Sequence, residues 1–402
     1  MSDPPDTPAS WGRTLTVIAT AQFLSSMAFS FAIPFAPYYL QELGVTDARA
    51  LNVWVALFWS AAAVTVAIFS PIWGAVADRW GRRPMLLRAY LGATVVLTLM
   101  GVVRAPGWLI ALRVAQGVLS GTIAASQTLA VASVPRERSG LALGALSSAV
   151  FSGAFVGAFI GGWCADAFGY RTSFVLSGLT MLLSAGLIQM GVQENFTPAA
   201  RPEGFWASLK PRQGQMAVVL PILGLMAAVI FVTSFGMAYV PLLVQEIHGG
   251  LQGASFRTGT LFAVCGVAGI LSGIGIGWLA DRVSPPKIGI WSALAAGALT
   301  LPQAFVHTLG MLFGLRFAMT FAAGGLDPVF QIWLSKVTPK ECQGLIFGWS
   351  ATARYVGMAL APLAGCAAVE AVGLRGLFIW GGVLYGVLAV VIAVTVRRMG
   401  KA

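Results

Sequence analysis

Charge is scarce in this chain. Of its 402 residues only 10% are charged, 25 basic and 14 acidic, against about 25% in an ordinary soluble domain. So few charges cannot coat a soluble body of this length, which excludes a soluble enzyme and a disordered scaffold. Histidine is rarer still. His248 and His307 stand at the edges of apolar segments, and a metal site normally needs a cluster of ligands. The four cysteines (Cys164, Cys265, Cys342 and Cys366) form no C-x-x-C pair, so neither a disulfide framework nor a zinc site is expected. No G-x-x-x-x-G-K-[ST] loop occurs, which excludes pumping driven directly by nucleotide hydrolysis. No H-E-x-x-H or G-x-S-x-G occurs either. The chain does not read as an enzyme, and no cofactor is expected.

What the chain has is apolar length. Hydrophobic residues make up 57% and the mean hydropathy is +0.82, so most of it is solvated by lipid. Twelve runs can cross a bilayer, near 14–40, 50–77, 84–103, 108–132, 140–164, 172–192, 216–245, 256–280, 287–306, 309–334, 344–369 and 374–396. They are long and continuous, which selects helices over the short alternating strands of a barrel. The opening MSDPPDTPAS is acidic and proline-rich, unlike the basic start of a cleavable signal, so the first apolar run is expected to stay. The polar stretch Gln193–Gln215 reads as a linker. It divides the chain into a six-helix bundle over 1–192, a linker over 193–215 and a second bundle over 216–402. With both ends cytoplasmic, seventeen of the 25 basic residues lie in cytoplasmic segments. Five lie opposite (Arg49, Arg104, Arg171, Arg257 and Arg375), and Arg113, Arg316 and Arg354 fall inside spans. The formal charge of +11 is therefore a topology signal rather than a nucleic-acid footprint.

The two halves repeat each other. At an offset of 203, Gly74, Ala77, Asp78 and Arg79 match Gly277, Ala280, Asp281 and Arg282, and Leu112, Arg113 and Gly121 match Leu315, Arg316 and Gly324. At 204, Gly153, Gly161, Gly169 and Arg171 match Gly357, Gly365, Gly373 and Arg375. Six helices repeated in parallel orientation signal two bundles about an axis along the membrane normal, with a solute site between them near midplane. The expected fold is an all-α integral membrane protein of twelve transmembrane helices in two six-helix pseudo-symmetric bundles.

Three motifs carry a family resemblance. GAVADRWGRR from Gly74 to Arg83 resembles the loop between helices two and three of the major facilitator superfamily. LIALRVAQGVLSG from Leu109 resembles its fourth-helix motif, and GAFVGAFIGG from Gly153 its helix-five antiporter motif, with Ala158 where that motif has proline. FAIPFAPYYLQELGV, PRERSGLALG and QENF are similar to its MdtG-type multidrug efflux branch. The resemblance implies the major facilitator fold, with a cytoplasmic gate at Gly74, Asp78, Arg79, Gly81 and Arg82. In the family the Asp locks the halves on that side; a plain positive-inside anchor is the other reading. It implies Arg113 as the intramembrane arginine, either coupled to protons or snorkelling outward. Gly153, Gly157, Gly161 and Gly162 suit close helix packing.

Candidate cavity residues follow from spacing. Phe31 and Phe35 in the first helix, and Phe231, Phe235 and Tyr239 in the seventh, recur every four residues and so share a helical face; they line a cavity or pack a core. Gln22, Gln116, Gln127 and Gln331 are intramembrane amides. Asp327 is the acid that sits well inside a run, about 13 Å from the cytoplasmic edge by helical rise, and Arg354 on the next helix is about 15 Å from the same edge. Opposite charges at one depth face each other or a shared cavity. They can change protonation with the transport cycle or form a fixed ion pair. The reading is a proton-coupled exporter of small lipophilic compounds in the inner membrane, working by alternating access. Asp327, Arg354 and Arg113 are its coupling residues. Its partners are a small-molecule substrate, the proton and the bilayer, with no metal and no nucleic acid, and a monomer is expected. Import or export of another small solute (a sugar, organic acid or metabolite) is the alternative.

Overall fold

The structure is a computed structural model. It describes residues 8–119, 121–135, 138–194, 213–280, 282–338 and 343–399, and within these the side chains of a few residues, Asp78 among them, lie outside the description. The described residues are helical almost throughout, joined by short turns, with no strand among them. Ten stretches are long and apolar enough to cross a membrane. The count rises to twelve for two local reasons. The fourth span is divided into Pro106–Leu119 and Thr122–Ala132, each too short to be recognised alone. Gly348–Arg398 has 51 residues, about 76 Å of helix, more than twice the bilayer core. Gly373, at φ 79, bends it into spans eleven and twelve.

Two compact units divide the contacts. One gathers the described residues of Met1–Ala36, Ile68–Arg201 and Ser255–Gly266; the other gathers those of Pro37–Ala67, Pro202–Ala254 and Val267–Ala402. Each half of the sequence therefore lends a segment to the unit built mainly by the other. In the first unit span one packs on spans five and six, and span three on span six. In the second, span seven packs on span eleven, and span nine on spans ten and twelve. Large apolar side chains within the spans, such as Ile68, Leu183, Ile274 and Trp291, are exposed. Such residues have lipid as their solvent, and the unbroken helices satisfy their own backbone polar groups there.

Glycine sets the closest approaches. A Cβ on Gly153, Gly157 or Gly161 of span five would overlap the carbonyls of Phe23, Met27 and Phe31 of span one. These three glycines, one turn apart, form a smooth stripe on which the first span lies. Span eleven repeats the device, with Gly357 and Gly365 against the Ala227 and Phe235 carbonyls of span seven.

Candidate functional site

The tenth span is broken where its charge lies. The helix Leu309–Ala323 stops at Gly324, whose N–H donates to the Thr320 carbonyl at 2.8 Å, and restarts at Leu326. Both glycines at the break have ordinary negative φ. They are required by crowding: a Cβ on Gly325 would run into Ile276 of span eight, and one on Gly324 into Ser272. The new helix carries Asp327 in its first turn, where the helix dipole favours an anion.

Asp327 Oδ2 collects two donors. Arg354 Nη2 of span eleven lies 2.9 Å away, and Gln331 Nε2, one turn along the same helix, donates at 2.8 Å. The side chains of Arg354 and Asp327 are 38% and 21% exposed, so the pair is reachable rather than sealed. Asp327 Oδ1 and Arg354 Nε are buried with no hydrogen-bond partner among the described residues. The pair borders an apolar cluster that includes Leu326, Phe330, Leu334 and Ile346. One carboxylate oxygen is thus held by two donors, and the other has none among the described residues.

The first half places its polar groups differently. Span four is interrupted at Gly121, which has φ 122 and open space where a Cβ would stand. The indole Nε1 of Trp73 donates to the Val118 carbonyl at 2.6 Å, capping the end of the interrupted helix, and the Arg88 guanidinium lies over the Trp73 ring at 3.4 Å. Arg113 is 5% exposed and donates to Gln116 Oε1, so it is buried instead of reaching outward to headgroups. Gln127 is half-buried. Gln22 is buried, its Nε2 donating to Ser26 at 3.2 Å while its Oε1 has no partner among the described residues.

The aromatic stripes do not stay on regular helices. Span one passes from Pro8–Ala32 through a 3-10 turn, Ile33–Phe35, into Ala36–Glu42; span seven passes from Gln213–Ser234 through Met237–Tyr239 into Val240–His248. The α-helical four-residue spacing therefore does not by itself carry Phe35 on from Phe31, or Tyr239 on from Phe235, because the pitch changes at these turns. Phe31, Phe35, Phe235 and Tyr239 are buried and Phe231 is half-buried. The Phe231 and Phe235 rings are 5.9 Å apart, and the Tyr239 hydroxyl donates to the Pro362 carbonyl at 3.0 Å.

At the end of span two, Gly74, Arg79 and Arg82 are at the surface or partly so, and Gly81, at φ 95, turns the chain into span three. The Asp78 side chain, Asp281 and most of the Gln193–Gln215 linker lie outside the described residues. The helix N-terminus here is capped by a residue that sequence reasoning passed over. Glu194 accepts from the Arg82 and Arg83 N–H groups at 2.9 and 2.8 Å, and Arg83 Nη2 donates to the Gln189 carbonyl at 2.8 Å. A lone Glu at the end of span six gives no local sign of this partner. A second correction concerns Glu370. Span eleven continues helically to the bend at Gly373, so Glu370 also lies inside a helix, near its end.

Comparison with known proteins decides the family. The sequence profile of the Major Facilitator Superfamily matches residues 18–309 and 258–401. The chain belongs to the major facilitator superfamily. The multidrug resistance proteins MdtG of Salmonella typhimurium and Salmonella arizonae are each 36% identical to it over 380 residues, 93% of this chain and 93% of theirs. A bacterial homolog of the human lysosomal transporter Spinster, solved in an inward-facing and unoccupied conformation, superposes with a TM-score of 0.77. It covers 98% of both chains at 17% identity, a likeness of fold alone. The chain is thus a multi-pass membrane protein of a transporter superfamily. Within that superfamily fold, the broken spans four and ten are repeat partners, and irregular backbone at membrane depth is tolerated where it is buried in protein or lines a cavity.

Proposed function

We propose that this transporter is a proton-driven exporter of small lipophilic compounds, working by alternating access with the halves 1–192 and 216–402 as its moving bodies. The observation that supports it most is the Asp327–Arg354–Gln331 cluster. A partly exposed carboxylate lies at a helix break, held through one oxygen only. With Asp327 ionised, Arg354 neutralises it. When Oδ1 takes a proton, the charge attraction at Oδ2 falls and Arg354 is free to move. A carboxylate whose partner depends on its protonation can bias a two-state protein, because the two states then differ in contact energy. The 36% identity to MdtG proteins supports drug export as the direction and class. Arg113 is the second coupling candidate, buried against Gln116. Inner-membrane placement with both termini cytoplasmic completes the proposal.

The test is proton movement in proteoliposomes carrying an internal pH dye. A panel of lipophilic drugs should elicit proton flux opposite to drug flux, and sugars should elicit none. Asp327→Asn, which mimics the protonated form, should keep substrate binding and lose accumulation against a gradient. Proton-driven uphill transport in that variant would remove Asp327 from the mechanism, and flux with sugars alone would replace the substrate class.

A further inference from the structure

Span eight begins at Ala254 after Gly253, a residue with no side chain to cap its helix. The first N–H groups of a helix have no partner within it, and here a residue from the other half of the sequence supplies one. The Phe256 N–H donates to Asp166 Oδ2, at the end of span five, at 2.8 Å. Close by, the Tyr170 hydroxyl and Ser255 Oγ are 3.0 Å apart. Two glycines let the helices meet: a Cβ on Gly162 would overlap the Ser255 carbonyl, and one on Gly259 the Ala158 carbonyl. Residues Ser255–Gly266 belong to the same compact unit as span five, so this seam joins the halves of the sequence at the span ends far from the basic loops.

The seam made by the other segment is of different chemistry. Tyr38 donates to the Pro241 carbonyl at 2.6 Å, Ser60 to the Ala359 carbonyl at 2.7 Å, and Gln41 and Gln245 exchange amide hydrogen bonds at 2.9 and 3.0 Å. These bonds are neutral. The repeat partner of Asp166, at the offset of 204, is Glu370, whose Oε1 lies 3.9 Å from Cys366 Sγ. Between spans five and eight the helix start is capped by an anion.

We propose that Asp166 is a latch that holds spans five and eight together at this end and is released and re-formed in each transport cycle. A charge-assisted bond to a helix N-terminus is stronger than a neutral one. Asp166 is exposed, so on separation water replaces the helix as its partner, and the latch opens without burying an ion. This inference rests on alternating access but not on Asp327, and its test needs neither substrate nor proton gradient. Spin labels at Phe168→Cys and Leu251→Cys, both exposed positions, would report separation of this end in a background freed of native cysteines. Asp166→Asn, of equal size, should raise the long-distance population about five-fold. Asp166→Glu should largely preserve the parent distribution, and Tyr170→Phe should shift it the same way by about two-fold. If Asp166→Asn gives the parent distribution, the latch is refuted. If Asp166→Asn does not fold, an unchanged distribution in Tyr170→Phe refutes it equally.

Discussion

Spans four and ten are copies of one element, and both are broken, yet the breaks are made and used differently. Gly121 is needed for its backbone: φ 122 is open to glycine and strained for other residues, although the space around it is empty. Gly324 and Gly325 have ordinary dihedrals and are needed for space, against Ser272 and Ile276. After the break the first half has Ala124 three residues beyond its glycine, where the second half has Asp327. Duplication thus supplied the interrupted helix and its arginine (Arg113, Arg316) twice and the acid once. Backbone interruption and the carboxylate are separable properties of this fold, and the Asp327 part of the coupling proposal concerns the half that has both.

Substitutions at the breaks should show the largest contrast. Gly325→Ala is expected to cost about 2–3 kcal/mol through overlap with Ile276, and Ile276→Ala should restore part of it. Gly121→Ala should cost about 1–2 kcal/mol through its dihedral, with no rescue from neighbouring truncations and a milder loss for Gly121→Asn. Thermal unfolding in detergent measures both. Equal losses, or rescue at both sites, would erase the distinction between a crowded break and a twisted one.

A smaller effect is expected at the ion pair. Arg354→Gln removes the charged partner of Asp327. Because both side chains are partly exposed, the loss should be about 1–2 kcal/mol, short of the full cost of an unpaired buried ion. Asp327→Asn in the same chain should cancel most of it, and the interaction energy from the four proteins measures the pairing. Strictly additive losses would mean that the two charges are adjacent without being coupled.

The smallest contrast concerns the amides six residues beyond Gly121 and Gly325. Gln331 donates to Asp327, whereas Gln127 is a half-buried amide of a helix with no carboxylate at the matching place. Gln331→Leu should slow proton-driven transport about five-fold, the equivalent of one hydrogen bond of about 1 kcal/mol. Gln127→Leu should change it by less than about two-fold. Drug accumulation in proteoliposomes decides, and equal responses would return both residues to the same role.

Much of this was legible in the sequence for stated reasons. Lipid as solvent forces helices of a set length, so runs of apolar residues locate the spans. Gly153, Gly157 and Gly161 at four-residue spacing announced a packing stripe. Residue counting from the loops brought Asp327 and Arg354 to one depth, because helical rise is constant. The period behind the aromatic stripes changes at the 3-10 turns Ile33–Phe35 and Met237–Tyr239, while Phe231 and Phe235, ahead of the second turn, pack ring to ring.

By itself, then, the sequence determined what depends on one helix at a time: the solvent of each residue, the number of spans, the duplication and the depth of each charge. Only the tertiary structure decided what depends on pairs of helices distant in the chain. It put Arg354 and Gln331 on the same oxygen of Asp327, Glu194 on the start of span three and Asp166 on the start of span eight. A backbone N–H at a helix start is present in every sequence. Which carboxylate reaches it is set by how closely two helices approach, and at span eight Gly162 and Gly259, each about one turn from Asp166 and Phe256, allow that approach.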